Sequence, residues 1–144
     1  MDSALAELAA SRGLGENVVF AGERDRASCL FLVDKADVHV LTSKSESFPN
    51  VVVEAQALSR PVVSFDVGAA SEIIKDGVTG YITAVGDPNA FVERTAELLK
   101  NRALGREMGA LGKERIFTCF SMKRKVDNFT SMVWKDLSIV ESCA

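Results

Sequence analysis

Apolar positions along this chain recur with two different periods, and the switches between them outline its elements. Leu5, Leu8 and Ala9 fall at helical spacing over residues 3–12, and Gly13 and Gly15 supply the stop. "NVVFAG" (Asn17–Gly22) predicts a short buried strand. The next helical pattern carries Ala27, Leu30, Phe31, Val33 and Ala36 on its inner face. "DVHVLTS" (Asp37–Ser43) is the second strand, "NVVVEAQALS" (Asn50–Ser59) a helix despite its valines, and "PVVSF" (Pro61–Phe65) the third strand. "AASEIIKDG" (Ala69–Gly77) is a short helix ended by a glycine, and "GYITAV" (Gly80–Val85) a fourth strand. Asp87 as N-cap with Pro88 at the first helical position opens a further helix. Two more helical patterns, 103–117 and 121–137, close the chain, the last opened by Ser121.

Strands that alternate with helices and are apolar throughout predict an α/β domain whose parallel sheet is covered on both faces. In such sheets ligands bind beyond the C-terminal strand ends, where loops lead into helix N-termini. Three loops become candidate sites on this rule: Gly22–Arg26, Ser43–Asn50 and Asp66–Ser71. Four strands make a small sheet, and the first element is a helix with no strand before it. The expectation is therefore a domain with pieces missing.

Composition narrows the class. A chain of 144 residues, 47% hydrophobic and 26% charged, has the make-up of one soluble globular domain. A formal net charge of −3 gives no overall attraction for nucleic acid or anionic membranes, which leaves only a local basic patch as a route to either. Cys29, Cys119 and Cys143 are far apart, with no CxxC spacing, which predicts free thiols in a reducing cytoplasm rather than a metal site. No apolar run approaches the roughly 20 residues of a spanning helix, and the N-terminus has no signal-peptide pattern. The basic run "MKRKV" (Met122–Val126) reads as a solvated face over an apolar stripe, with contact to an anionic membrane as the lesser reading.

Two carboxylates carry the candidate chemistry. Glu46 lies in the strand-to-helix loop and Glu54 about one turn past the helix start, with a Phe-Pro-Asn turn between them. A carboxylate accepts two hydrogen bonds at once, which suits paired hydroxyls of a sugar or ribose. The neighbouring helix start offers free N–H groups to a phosphate. Set against this, acids at helix starts are commonly caps or solvated residues, and Glu72 in the "DVGAASE" turn equally fits the third position of a capping box. His39, mid-strand among apolar residues, reads as a packed neutral imidazole rather than a base, and Ser43, Ser45 and Ser47 have no triad partners.

The segment "ADVHVLTSKSESFPNVVVEAQALSRPVVSFDVGAASEIIKDGVTGYI" resembles the donor-binding half of GT-B glycosyltransferases, in the large retaining family 4 or glycosyl transferases group 1. The pattern reads Glu46, seven residues, Glu54, Ala55, Ala57, Pro61 and Val62, followed by "GAASEIIKDGVTGYI"; "VVFAG" matches the strand before the nucleotide loop. The resemblance runs from about Ala4 to Trp134 and implies a Rossmann-like, three-layer α/β fold with a parallel sheet, the partial C-terminal half of such an enzyme. Residues 1–144 would form part of a nucleotide-sugar donor-binding domain, with C-terminal helices at about 103–137.

The resemblance also implies roles. Glu46 would be the catalytic residue, hydrogen-bonding hydroxyls of the transferred sugar, and Glu54 would hold the ribose hydroxyls. Backbone N–H groups around Ser47, Phe48, Asn50 and Val51 would face the diphosphate or sugar, and Gly22, Glu23 and Arg24 would lie near the base. No metal or other cofactor is expected, because positive side chains and the helix dipole replace a divalent cation. Retention of configuration is expected, by front-face attack with the leaving phosphate helping to deprotonate the acceptor.

The chain departs from the family in lacking the "GR…KG" segment and the N-terminal acceptor domain, and in having Ser59 where glycine is common. It therefore reads as the last two-thirds of a donor-binding domain, in need of the missing N-terminal domain or a partner chain. The other readings are a non-catalytic nucleotide-binding or complementation module and, further off, a UDP-GlcNAc 2-epimerase-like protein.

Overall fold

The computed structural model describes residues 3–120, and the chain divides into two compact units, one ending at Phe31 and the other beginning at Leu32. In the first, α1 (Ser3–Ser11) closes as a Schellman turn: Gly13 N–H donates to Ala10 O (3.0 Å) and Leu14 N–H to Ala9 O (2.8 Å). Leu5 and Leu8, which fall at helical spacing, are 54% and 48% exposed.

The strand expected at Asn17–Gly22 does not form. Asn17 and Val18 spend their N–H groups on the Leu14 carbonyl (2.9 and 3.1 Å), which turns the chain, and Val19 is 88% exposed. A strand exists only through a ladder partner, and this segment belongs to no ladder among the described residues. α2 (Arg26–Lys35) starts at Asp25, whose Oδ1 accepts the Ser28 N–H at 3.0 Å. Phe31, also expected to face inward, is 62% exposed.

The second unit holds a parallel sheet of β1 (His39–Leu41), β2 (Val62–Phe65) and β3 (Gly80–Thr83), in that spatial order. His39 lies beside Val62, and Val62 beside Gly80. Successive strand residues point to opposite faces, and Val62 and Val63 are both fully buried, so β2 is covered on both sides. Val62 packs with Val52 and Ala55 of α3 (Asn50–Ala57), Ile73 of α4 (Ala70–Ile73) and Ile116 of α6 (Arg102–Cys119). Val63 packs with Tyr81 of β3, Phe91 and Leu98 of α5 (Pro88–Lys100) and Met108 of α6. Each valine contributes about 1.5–3 kcal/mol by full burial. The three layers expected from the apolar strands are present, with α6 serving both cores.

Helix starts follow local chemistry. Asp87 Oδ1 accepts the Ala90 N–H at 3.0 Å with Pro88 first in α5, and Asn101 Oδ1 accepts the Leu104 N–H at 3.2 Å to open α6. Of the two closing helical patterns, 103–117 lies within α6, whereas 121–137 lies outside the described residues. The capping box considered for Glu72 is absent: α4 begins after Ala69, which has no side chain to cap it.

α3 ends in a second Schellman turn, with Ser59 N–H on Gln56 O and Arg60 N–H on Ala55 O, both 2.9 Å. Ser59 takes φ 60°, the only positive φ at a non-glycine among the described residues, a left-handed conformation that glycine adopts without strain. α6 crosses this turn at backbone contact. A Cβ on Gly109 would collide with the Ser59 carbonyl oxygen and stand 2.7 Å from its carbon, so only glycine fits.

Two substitutions test this contact in opposite directions. Ser59→Gly should raise unfolding stability by roughly 0.5–1 kcal/mol by relieving the left-handed backbone. Gly109→Ala should lower it by about 1–3 kcal/mol through overpacking. Urea unfolding measures both; an unchanged midpoint for Gly109→Ala would show that α6 is not held against the turn.

Candidate functional site

β1 ends at Leu41, and residues 42–49 carry the chain over the C-terminal sheet edge into α3. Glu46 is half-buried in this loop, and Ser47 and Phe48 are exposed. Pro49 is fully buried at the N-cap, with φ −77° and ψ 86°, and no side chain caps α3. The Asn50 N–H donates to the Phe48 carbonyl (2.9 Å) and the Val52 N–H to the Pro49 carbonyl (3.0 Å), which fixes the turn into the helix. Glu54 is half-buried, one turn further on, so both acids sit on one loop-and-helix unit at the strand end.

The neighbouring loop, after β2, holds this one in place. Gly68 has φ 52°, and a Cβ there would overlap the Glu46 carbonyl oxygen and lie 2.6 Å from the Ser47 carbonyl oxygen. Ala69 N–H donates to that Ser47 carbonyl at 3.1 Å. The Asp66–Ser71 turn is one of the three loops expected as candidate sites, and its glycine makes its close approach to the backbone of Glu46 and Ser47. A glycine in a strand-to-helix turn signals a tight approach, though not what is approached.

Two further ties position α3 and α4, and both were missed in the sequence. Gln56, fully buried, donates through Nε2 to Thr79 O (3.1 Å) and Thr79 Oγ1 (3.0 Å), and Thr79 Oγ1 also accepts the Lys75 N–H (2.9 Å). Arg115 of α6 donates from Nε to Ile73 O (2.9 Å) and from Nη2 to Glu72 O (2.7 Å), satisfying carbonyls at the end of α4. These partners lie 23 and 42 or 43 residues apart, so no local pattern announces them.

His39, at the start of β1, has a buried Nε2 without a hydrogen-bond partner among the described residues. Burial holds its pKa below the ordinary 6.5, with the Glu54 carboxylate acting in the opposite direction. The neutral packed imidazole expected from its apolar neighbours fits this setting. In the first unit, Gly22 (φ 68°), Glu23 and Arg24 form an exposed loop that leads to the α2 start. Hydrogen bonds from Ser28 hold the Asp25 carboxyl there below its ordinary value.

Residues 1–115 match the family model for glycosyl transferases group 1. An N-acetyl-alpha-D-glucosaminyl L-malate synthase of Bacillus anthracis is 31% identical over 119 residues, 83% of this chain and 31% of that protein. The structure of sucrose-phosphate synthase from Thermosynechococcus elongatus aligns with a TM-score of 0.80 at 26% identity, over 94% of this chain and 34% of that one. The Anabaena protein Alr3699/HepE, solved in complex with UDP, aligns with a TM-score of 0.78 at 24% identity, over 94% and 36% of the two chains. The chain thus spans about a third of the length of these proteins. The Rossmann-like, GT-B type of parallel fold is common to these two solved structures and to the chain described above.

The lowered pKa of His39 sets a pH dependence. Unfolded, His39 titrates near 6.5; folded, it titrates lower, so acid protonates the unfolded chain first. The stability it contributes is complete above about pH 6.5 and is lost as pH falls below that value. His39→Leu should flatten the decline in unfolding free energy between about pH 7 and 5.5, measured by denaturant titration. An identical slope in the variant would rule the imidazole out as its source.

Proposed function

The chain belongs to the glycosyl transferases group 1 family, and from this premise we propose that it is the donor-binding part of a transferase that uses a nucleotide-diphosphate sugar. The observation that carries the reading is the half-buried pair Glu46 and Glu54 flanking an α3 start that no side chain caps. In this reading Glu46 accepts hydrogen bonds from hydroxyls of the transferred sugar and Glu54 from the ribose hydroxyls. The backbone from Ser47 to Val51 and the positive end of the α3 dipole face the diphosphate. The UDP bound by the Anabaena neighbour supports a nucleotide-sugar donor.

The reaction breaks the bond between the sugar C1 and the diphosphate oxygen and forms a bond from C1 to an acceptor hydroxyl oxygen. The acceptor proton passes to the leaving phosphate. Glu46 orients the sugar so that this exchange occurs on one face, with retention. The locked loop matters here because a small displacement of an orienting group costs rate steeply. We assign the reaction to the cytoplasm, in keeping with the free thiols of Cys29 and Cys119, and to a metal-independent route. Among the described residues no helix is long and apolar enough to cross a membrane.

The test uses the full-length enzyme that contains this chain. Glu54→Ala should raise KM for the nucleotide sugar about tenfold or more, and Glu46→Ala should lower kcat by a similar factor or more, each by loss of charge-assisted hydrogen bonds. Wild-type kinetics in both variants would reject the assignment. Chelation of divalent cations should leave the rate unchanged, and a loss restored by added magnesium would reject the metal-independent route.

A further inference from the structure

A concave feature lies at the other end of the sheet. Asp37 precedes β1 and Arg60 precedes β2, so the cavity they line with Arg102, Gly105 and Arg106 sits where the strands begin, away from the loops that carry Glu46 and Gly68. Its volume is about 150 Å3. Three arginines and one aspartate are among its lining residues, and with Asp34 beside Arg60 a local excess of one positive charge remains in a chain whose formal net charge is −3.

Internal pairing does not neutralise that excess. Arg60 donates from Nη1 to the Ala36 carbonyl (3.2 Å) and reaches Asp34 from Nη2 (3.4 Å), while its Nε is buried without a partner among the described residues. Arg102 meets Asp37 only at 3.6 Å, with both side chains more than half exposed, a pair worth little in water. Arg106 makes no ion pair or hydrogen bond among the described residues. Arg102 and Arg106 are one turn apart on the first turns of the 18-residue α6, where the helix dipole adds positive potential. Three guanidinium groups around one recess repel one another, and a dianion between them removes that repulsion. The planar donor fork of arginine matches phosphate oxygens in pairs, which lysine does not.

We propose that this cavity is a binding site for a phosphate group, free or as the phosphomonoester of a small molecule, separate from the donor site. Arg60, fixed by Asp34 and Ala36, forms the floor with its unpartnered Nε, and Arg102 and Arg106 close over the anion from α6. The recess is sized for a headgroup rather than a polymer.

Calorimetric titration of the full chain with inorganic phosphate and with glycerol 3-phosphate, at constant ionic strength, tests the site. A dissociation constant on the order of 1 mM or tighter is expected. Arg106→Ala and Arg102→Ala should each weaken binding at least fivefold while leaving the thermal midpoint unchanged, because neither side chain holds a buried contact. Flotation with vesicles containing phosphatidic acid separates the sources. Binding to soluble phosphates that both variants lose supports the proposal, and binding to the vesicles alone overturns the soluble ligand. No binding to either, or affinity that survives both substitutions, overturns the site.

Discussion

The double burial of β2 is the constraint on which the rest of the second unit depends. Val62 and Val63 are consecutive, point to opposite faces and are both fully buried, so each face must be covered by helices. α3, α4 and α6 meet over Val62, and α5 and α6 meet over Val63. A strand held this way has no freedom to slip, since a one-residue shift would exchange its two faces against different partners. Its two ends are therefore fixed points. The C-terminal end launches the Gly68 loop, and the N-terminal end receives the turn made by Ser59 and Arg60.

From the first fixed point the candidate donor site is built by backbone rather than by side chains. The loop after β2 meets the loop after β1 so closely that the Glu46 carbonyl occupies the space of a Gly68 Cβ, and the Ala69–Ser47 hydrogen bond seals the contact. Glu46 is thus carried on a segment whose main chain is held at two places, while Glu54 rides on the helix that packs against the sheet. From the second fixed point comes the cavity lined by arginines. The Ser59 turn places Arg60 under α6, and the glycine at 109 lets that helix approach closely enough for its first residues to form the opposite wall. The two ends of one strand thereby acquire opposite electrostatic characters, acids at one and guanidinium groups at the other.

Departures from expectation share a cause. The "NVVFAG" run is apolar enough to be a strand, but strands need partners, and Asn17 and Val18 turn back on Leu14 instead. Phe31, Leu5 and Leu8 have the right helical spacing and stand exposed. Periodicity reports that a face is apolar; it does not report what is packed against it. Arg115 on the end of α4 and Gln56 on Thr79 were illegible for the complementary reason, since their partners are distant in the chain and of no distinctive type.

What the sequence determined by itself was whatever local chemistry decides. Alternating apolar runs and helical periods set the parallel α/β order, Asp87 and Pro88 set the start of α5, and the loop between β1 and α3 was identified as the place of Glu46 and Glu54. These follow from hydrogen bonds within a few residues and from periods of two and 3.6. Only the tertiary structure decided which backbone the Gly68 turn approaches, why position 59 favours glycine, and that Arg60 from the turn before β2 shares one cavity with Arg102 and Arg106 of α6. Those depend on close packing between segments remote in sequence, where a single Cβ or one guanidinium changes the outcome and no local period records it.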